Sequence, residues 1–93
     1  MVPDTPSFRR IFWDVNIGSL DEHKHRKQIV ERILNYGDEY TYRWLFATYS
    51  EEELREEVRR NKNIEPRAGA MMANLLDIPR EEAACFKNVY PAN

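Results

Sequence analysis

The stretch Asn35–Leu45, NYGDEYTYRWL, contains the end of one predicted helix and the start of the next. Apolar side chains recur at helical spacing up to Tyr36, which we take as the last core ring of the first helix. Gly37 suits the left-handed conformation that ends many helices, because glycine has no side chain to resist positive φ. Asp38 can then accept a hydrogen bond from the first turn of the following helix. The stretch therefore predicts a tight joint between two helices.

Helical patterns continue on both sides of this joint, and no segment keeps the apolar–polar alternation of a strand. The clearest helix follows Ser50, because Ser50 and Glu53 have the spacing of a capping box. The sequence predicts an all-α fold, a single compact bundle of five to six short helices. It predicts a flexible N-terminal arm over residues 1–7 and a single helical domain over residues 8–93. The predicted helical segments are a turn at 8–12, a helix starting near Ser19 to Asp21, helices at 39–49, 50–62 and 66–77, and one from Pro79 onward.

Two of these helices carry apolar stripes that predict which of their faces are buried. In the third helix, the spacing i, i+3, i+4, i+7 selects Tyr42, Leu45, Phe46 and Tyr49. In the fifth helix, similar spacing selects Ala68, Met71, Met72, Leu75 and Leu76. In the last helix, Ala83 and Phe86 would face inward. We expect these side chains to form much of the core.

Length and composition limit the class of protein. The chain has 93 residues, of which 42% are hydrophobic and 32% are charged, as in one globular domain. The net charge of −2 argues against a nucleic-acid binder that relies on overall positive charge. Cys85 is the single cysteine, which excludes a disulfide within the chain and predicts a small buried side chain. No leader or apolar run of membrane length is evident, so we expect a cytoplasmic protein.

No residue pattern predicts catalysis or a bound cofactor. His23 and His25 are two residues apart, which places them on different faces of a helix and keeps them from sharing a metal ion. The three glycines are not clustered into a phosphate-binding loop. The serines lie in the arm or at helix caps, where each has a structural role available. We therefore expect a protein that is not an enzyme and has no metal or cofactor site.

The aromatic residues of the third helix indicate a partner protein. Tyr40, Arg43 and Trp44 lie outside the main apolar stripe of that helix. Trp, Tyr and Arg are the residue types that dominate protein interfaces. Together with Trp13, these three residues form the candidate partner-binding set. A helix with rings on all sides is also explained by burial at the centre of the bundle, and that alternative stays open.

A DNA-binding helix-turn-helix is the alternative function. The predicted helices at 50–62 and 66–77 have suitable lengths, and the nucleic-acid contacts would come from Arg59, Arg60 and Arg67. The outer face of the second of these helices is poor in side chains that read bases, since it offers Gly69, Ala70, Ala73 and Asn74. The favoured hypothesis is therefore protein interaction rather than DNA binding.

Four motifs occur in order along the chain: Phe12-Trp13-Asp14, ERILNYGD at 31–38, Arg43-Trp44-Leu45 and LDIPREE at 76–82. From Phe8 to Lys87 the chain resembles a small uncharacterised bacterial domain family of unknown function. The resemblance implies a gene neighbour, because such proteins are often encoded beside nucleotidyltransferases resembling abortive-infection toxins. It implies an antitoxin or accessory partner of that enzyme, and it carries over no catalytic residues.

The Phe12-Trp13-Asp14 motif also has a purely structural interpretation. Both rings would anchor the N-terminal segment to the bundle, and Asp14 would cap or turn the chain after them. In the other interpretation, the rings are aromatic anchors exposed to a partner.

Overall fold

Helices make up the regular secondary structure of residues 2–83, the part of the chain that the computed structural model describes. The predicted all-α fold is confirmed. The chain divides into two units, Met1–Thr48 with α1 to α3 and Tyr49–Asn93 with α4 and α5. The α-helices are α1 (Pro6–Ile11), α2 (Arg26–Tyr36), α3 (Glu39–Thr48), α4 (Glu51–Arg60) and α5 (Pro66–Leu75), and 3-10 helices cover Ile17–Ser19 and Arg80–Glu82.

The N-terminal segment already takes part in the first unit. Pro6 is the first residue of α1, where its fixed φ and missing N–H suit a helix start, and Val2 is buried. An arm over residues 1–7 and a single domain over residues 8–93 stay predictions. In the first unit, α1, α2 and α3 pack against one another in all three pairs. Helix α2 supplies most of the fully buried aliphatic side chains there: Ile29, Val30, Ile33 and Leu34.

Helix α2 begins later than the sequence predicts. Ser19 ends the 3-10 helix, which Asn16 caps by accepting a hydrogen bond from Gly18 N–H at 3.0 Å. The Asp21 carboxylate accepts from the backbone N–H groups of His23 and Lys24, both at 2.9 Å, and so forms a separate turn. The start near Ser19 to Asp21 is therefore wrong for the α-helix, because the capping side chains of this region close short turns instead.

The joint between α2 and α3 lies where it was predicted, but the conformation of Gly37 is different. Its φ of −76° and ψ of 172° are extended backbone, so the expected left-handed glycine is wrong. Asp38 does cap α3, because its Oδ1 accepts from Thr41 N–H at 3.1 Å. The Thr41 hydroxyl oxygen in turn accepts from Asp38 N–H at 2.9 Å, so the two residues cap each other.

The buried face of α3 is rotated from the predicted stripe. Leu45 and Tyr49 are buried as expected, but Thr41 is buried as well and Phe46 is 44% exposed. Trp44 was placed outside the main stripe, yet its ring meets Phe8 edge-on with centroids 5.4 Å apart. The buried Thr41 hydroxyl has its hydrogen bonds satisfied by the backbone of Asp38, which allows a polar residue on this face.

The second unit follows the sequence closely in α4. Ser50 and Glu53 form the predicted capping box, with the hydroxyl of Ser50 accepting from Glu53 N–H at 3.2 Å. Arg55 pairs with Glu51 at 3.2 Å and also donates from Nε to the Leu76 carbonyl at 3.0 Å. That bond satisfies a carbonyl at the C-terminal end of α5 and ties the two helices of this unit together.

The buried face of α5 is also rotated from the predicted stripe. Ala68, Met72 and Leu76 are buried as expected, whereas Leu75 is 61% exposed. Gly69 and Ala73, expected on the outer face of a recognition helix, are buried instead, because small side chains allow close packing there. The predicted helix from Pro79 is a 3-10 turn over Arg80–Glu82, followed by a buried Ala83. The expectations for Cys85 and Phe86 lie outside the described residues.

Candidate partner-binding surface

The Phe12-Trp13-Asp14 motif forms a tight turn directly after α1. Val15 N–H donates to the Phe12 carbonyl at 3.1 Å, which closes the turn with Trp13 and Asp14 at its two central positions. Phe12 is buried, while Trp13 is 81% exposed. The structural interpretation is therefore correct for Phe12 and wrong for Trp13, because the turn directs the two neighbouring rings to different environments.

Arg32 of α2 holds this turn from both sides of Trp13. Its guanidinium donates to both carboxylate oxygens of Asp14, with Nη2 2.9 Å from Oδ2, and Nη1 also donates to the Ile11 carbonyl at 3.2 Å. It lies over the Phe12 ring, 5.6 Å from the centroid. The hydrogen bonds from Arg32 stabilise the ionised carboxylate and hold the pKa of Asp14 below its usual value. Trp13 is thus presented by a braced turn.

Helix α1 is fixed to the α2–α3 joint by two polar contacts. Arg10 Nη2 donates to the Tyr36 carbonyl at 2.9 Å, which satisfies an acceptor at the C-terminal end of α2. The Ser7 hydroxyl lies near the Asp38 carboxylate. The Thr41 amide, and then this hydroxyl, lower the pKa of Asp38 because they bond its charged form.

Two open clefts flank the Trp13 ring. The first, of about 410 Å³, is lined by Trp13 together with Asp4, Arg9, Val15, Asn16 and Ile17. The second, of about 440 Å³, is lined by Trp13 together with Arg10, Asp14, Glu31, Arg32 and Tyr36. We call the second one the Trp13–Tyr36 cleft. The Tyr36 side chain is 59% exposed, so its assignment as the last core ring is wrong.

The sequence interpretation did not assign three residues to the candidate surface: Arg10, Arg32 and Tyr36. The helical spacing of apolar residues extends to Tyr36. Tyr36 is nevertheless exposed, because it lies at the last residue of α2, where helical spacing no longer predicts which side chains are buried. The arginines carry no local signal, since each acts on a residue more than twenty positions away: Ile11 for Arg32 and Tyr36 for Arg10.

The remaining partner-binding candidates lie on α3. Tyr40 is 70% exposed, and Arg43 is exposed and pairs with Glu39 at 2.6 Å. Trp44 is half-buried against Phe8. Both clefts beside Trp13 are lined from the N-terminal segment, α1, the loop that follows it and α2, so α3 presents a separate face. The structure therefore leaves Trp13, Tyr40 and Arg43 accessible and uses Trp44 for packing.

The arginines of the alternative DNA-binding function lie in the second unit. Arg59 Nε is 3.3 Å from a carboxylate oxygen of Glu82, and Arg60 Nη1 is 3.2 Å from one of Glu56. Arg67 is exposed near the start of α5. Two of the three guanidinium groups are therefore engaged with carboxylates of the same unit, which opposes phosphate binding.

Neither a metal site nor a membrane span emerges within residues 2–83. No three His, Cys, Asp or Glu side chains of this part are grouped to hold a metal ion. No helix there is long and apolar enough to cross a membrane. The Nδ1 atom of His25 accepts a hydrogen bond from Asp21 N–H at 2.9 Å and thus serves the turn before α2.

These features define a small all-α protein with an exposed, braced tryptophan. The chain belongs to a family of unknown function, DUF6922, whose model matches residues 7–58. The predicted resemblance to an uncharacterised domain family is confirmed over that range, while the LDIPREE motif lies beyond it. No curated protein and no solved structure matches the chain. The matched segment contains the Trp13 turn, Arg32, the Gly37–Asp38 joint and α4 up to Val58.

Proposed function

We propose that this protein is a non-catalytic interaction module and that Trp13 is its principal contact residue. The observation that carries the proposal is that Trp13 is 81% exposed on a turn held by Arg32. A backbone turn that is already held loses little conformational freedom on binding, and tryptophan is enriched among the residues that dominate binding energy. Tyr40 and Arg43 on the outer face of α3 form a second contact area.

The proposed partner is a nucleotidyltransferase of the abortive-infection type encoded beside this gene. The support is the resemblance described for the four sequence motifs, which implies such a gene neighbour. In this role the protein acts as an antitoxin or an accessory subunit, inside the cytoplasm, by covering a surface of the enzyme. It supplies binding energy and no reacting group.

Co-expression with the neighbouring nucleotidyltransferase tests this function. We expect a complex on size-exclusion chromatography and relief of the growth arrest that the enzyme causes alone. Trp13→Ala should weaken the complex at least about tenfold, the loss of one hot-spot side chain. Leu75→Ala is the matched control, because Leu75 is an exposed apolar residue of the second unit. If no complex forms and growth is unchanged, the proposed partner is wrong.

DNA binding through α4 and α5 is the competing proposal, and the engaged arginines and the buried face of α5 count against it. It requires a basic surface whose affinity falls steeply with salt. An electrophoretic shift assay at low salt separates the two proposals: we expect no shift, and a shift abolished by neutralising Arg59, Arg60 or Arg67 would favour DNA.

A further inference from the structure

The residues that line the Trp13–Tyr36 cleft are suited to bind a side chain of a partner. Its two aromatic residues, Trp13 and Tyr36, are both largely exposed, and the buried Ile11 also borders it. Exposed rings on two sides of one cleft are suited to an apolar or aromatic side chain, since such contacts bury large area with few rotatable bonds.

Two cations, Arg10 and Arg32, and two anions, Asp14 and Glu31, line this cleft. Arg32 is neutralised by Asp14, which it contacts through two hydrogen bonds. Glu31, also in the lining, acts on Arg32 through its charge. Arg10 forms no ion pair with any residue between 2 and 83, and its one hydrogen bond goes to the neutral carbonyl of Tyr36. A guanidinium has five N–H donors, so Arg10 retains donors for an acceptor that enters the cleft.

A carboxylate fits this acceptor position better than a phosphate chain does. The guanidinium fork matches a carboxylate in geometry and charge. Nucleic-acid sites require several cations with few anions nearby. Here Asp14 and Glu31 line the same cleft, and Asp38 lies close enough for its pKa to be lowered by the charge of Arg10.

We propose that the Trp13–Tyr36 cleft binds a partner segment in which a carboxylate follows or precedes an apolar or aromatic side chain. The apolar side chain lies between the two rings, and the carboxylate pairs with Arg10. This inference deepens the proposed function, on which it rests, by naming the chemistry of the partner at this surface.

Short synthetic peptides that combine Phe or Leu with Asp or Glu at varied spacing are the probes, each beside a version with the amide in place of the acid. Binding is followed by Trp13 fluorescence in a Trp44→Phe background, which removes the second indole and keeps a ring against Phe8. We expect acidic peptides to bind at least about tenfold better than their amide counterparts, the size of one charge-assisted contact. Equal binding of the acid and amide peptides, or binding of neither, would overturn the inference.

Arg10→Gln should abolish the preference for acidic peptides, and Arg10→Lys should keep part of it. Arg9→Gln is the matched control, because it makes the same charge change one residue away at a guanidinium already paired with Asp4. Thermal unfolding shows whether each variant is folded, since Arg10 also holds the Tyr36 carbonyl. Equal losses in the two Gln variants would contradict a specific Arg10–carboxylate pair, as would a single-stranded oligonucleotide that displaces the bound peptide.

The outcomes of these experiments distinguish a failure of the cleft proposal from a failure of the proposed function. If the nucleotidyltransferase binds and Trp13→Ala weakens the complex, but Arg10→Gln leaves its affinity unchanged, the proposed function stands and the Arg10–carboxylate pair is wrong. If acidic peptides bind the cleft but the enzyme forms no complex, the cleft stands and the proposed partner is wrong.

Discussion

A Cβ atom built on Gly37 would lie 2.3 Å from the Thr41 hydroxyl oxygen and 2.4 Å from the Ile33 carbonyl oxygen. Neither oxygen is free to move away. The Thr41 hydroxyl is held by hydrogen bonds to the N–H and the carbonyl of Asp38, and the Ile33 carbonyl accepts from Gly37 N–H at 2.8 Å. Glycine is required at the joint because there is no space for a side chain, and not because of its φ.

Gly37→Ala should therefore lower the free energy of unfolding by about 1–3 kcal/mol, the usual cost of overpacking. Urea denaturation measures the change. Gly18→Ala is the control, because its nearest neighbour would be Asn16 Oδ1 at 3.4 Å, an ordinary contact, and we expect a change within about 0.5 kcal/mol. Equal stability of the two variants would show that the joint has room.

Truncation of the two tryptophans should change the free energy of unfolding by very different amounts. Trp13→Ala removes an exposed ring and should change the free energy of unfolding by less than about 0.5 kcal/mol. Trp44→Ala removes the edge-on contact with Phe8 and should cost about 2 kcal/mol or more. Denaturation of both variants, with the partner assay alongside, separates packing from binding. A large stability loss in Trp13→Ala would contradict its role as an exposed contact.

Acid should weaken the cap of α3. The pKa of Asp38 is lowered in the folded chain, chiefly by the Thr41 amide, whereas an unfolded Asp titrates near about 3.9. The unfolded chain therefore takes up this proton at higher pH, and the contribution of Asp38 to stability is present above the unfolded pKa and is lost progressively as the pH falls from about 4 through the lower folded pKa. Asp38→Asn should be less stable at neutral pH and lose less stability on acidification than the original protein. If the free energy of unfolding falls equally with pH in Asp38→Asn and in the original protein, this contribution of Asp38 is excluded.

Asp77 lies in the left-handed region, with a φ of 55°, at the end of α5. Ile78 N–H donates to the Ala73 carbonyl at 2.9 Å, which is the 6→1 bond of a Schellman motif, and the position after the helix favours glycine. Asp77→Gly should raise the free energy of unfolding by about 0.5–1 kcal/mol, while Asp77→Val should lower it. Thermal and urea unfolding measure both changes, and the opposite order would rule out this conformation.

The sequence predicted those parts of the fold that depend on neighbouring residues. The α4 cap needs only Ser50 and Glu53, three positions apart. The position of the α2–α3 joint follows from Gly37 beside Asp38, although the lack of space that requires Gly37 does not. Burial in α3 and α5 was predicted less well. Leu75 and Phe46 have the right spacing for a core face, but the neighbouring elements decide which part of a broad apolar surface is covered.

The candidate surface depended still more on distant contacts. Phe12 and Trp13 are adjacent and similar, and nothing local indicates which ring is buried. The answer comes from the turn closed by Val15 and from Arg32, which reaches back to Ile11 across 21 positions. The residues next to Arg32 in the sequence give no sign that it contacts a distant turn.

Helix α1 has six residues, whereas helices shorter than about 12–15 residues are marginal on their own in water. We therefore expect the turn that carries Trp13 to depend on the packing of α1 on α2 and α3. A newly made or partly degraded chain would display an indole without the cleft beside it. A partner that contacts both the Trp13 side chain and the cleft would bind only folded copies of this protein. Unfolded or incomplete copies would compete poorly for that partner.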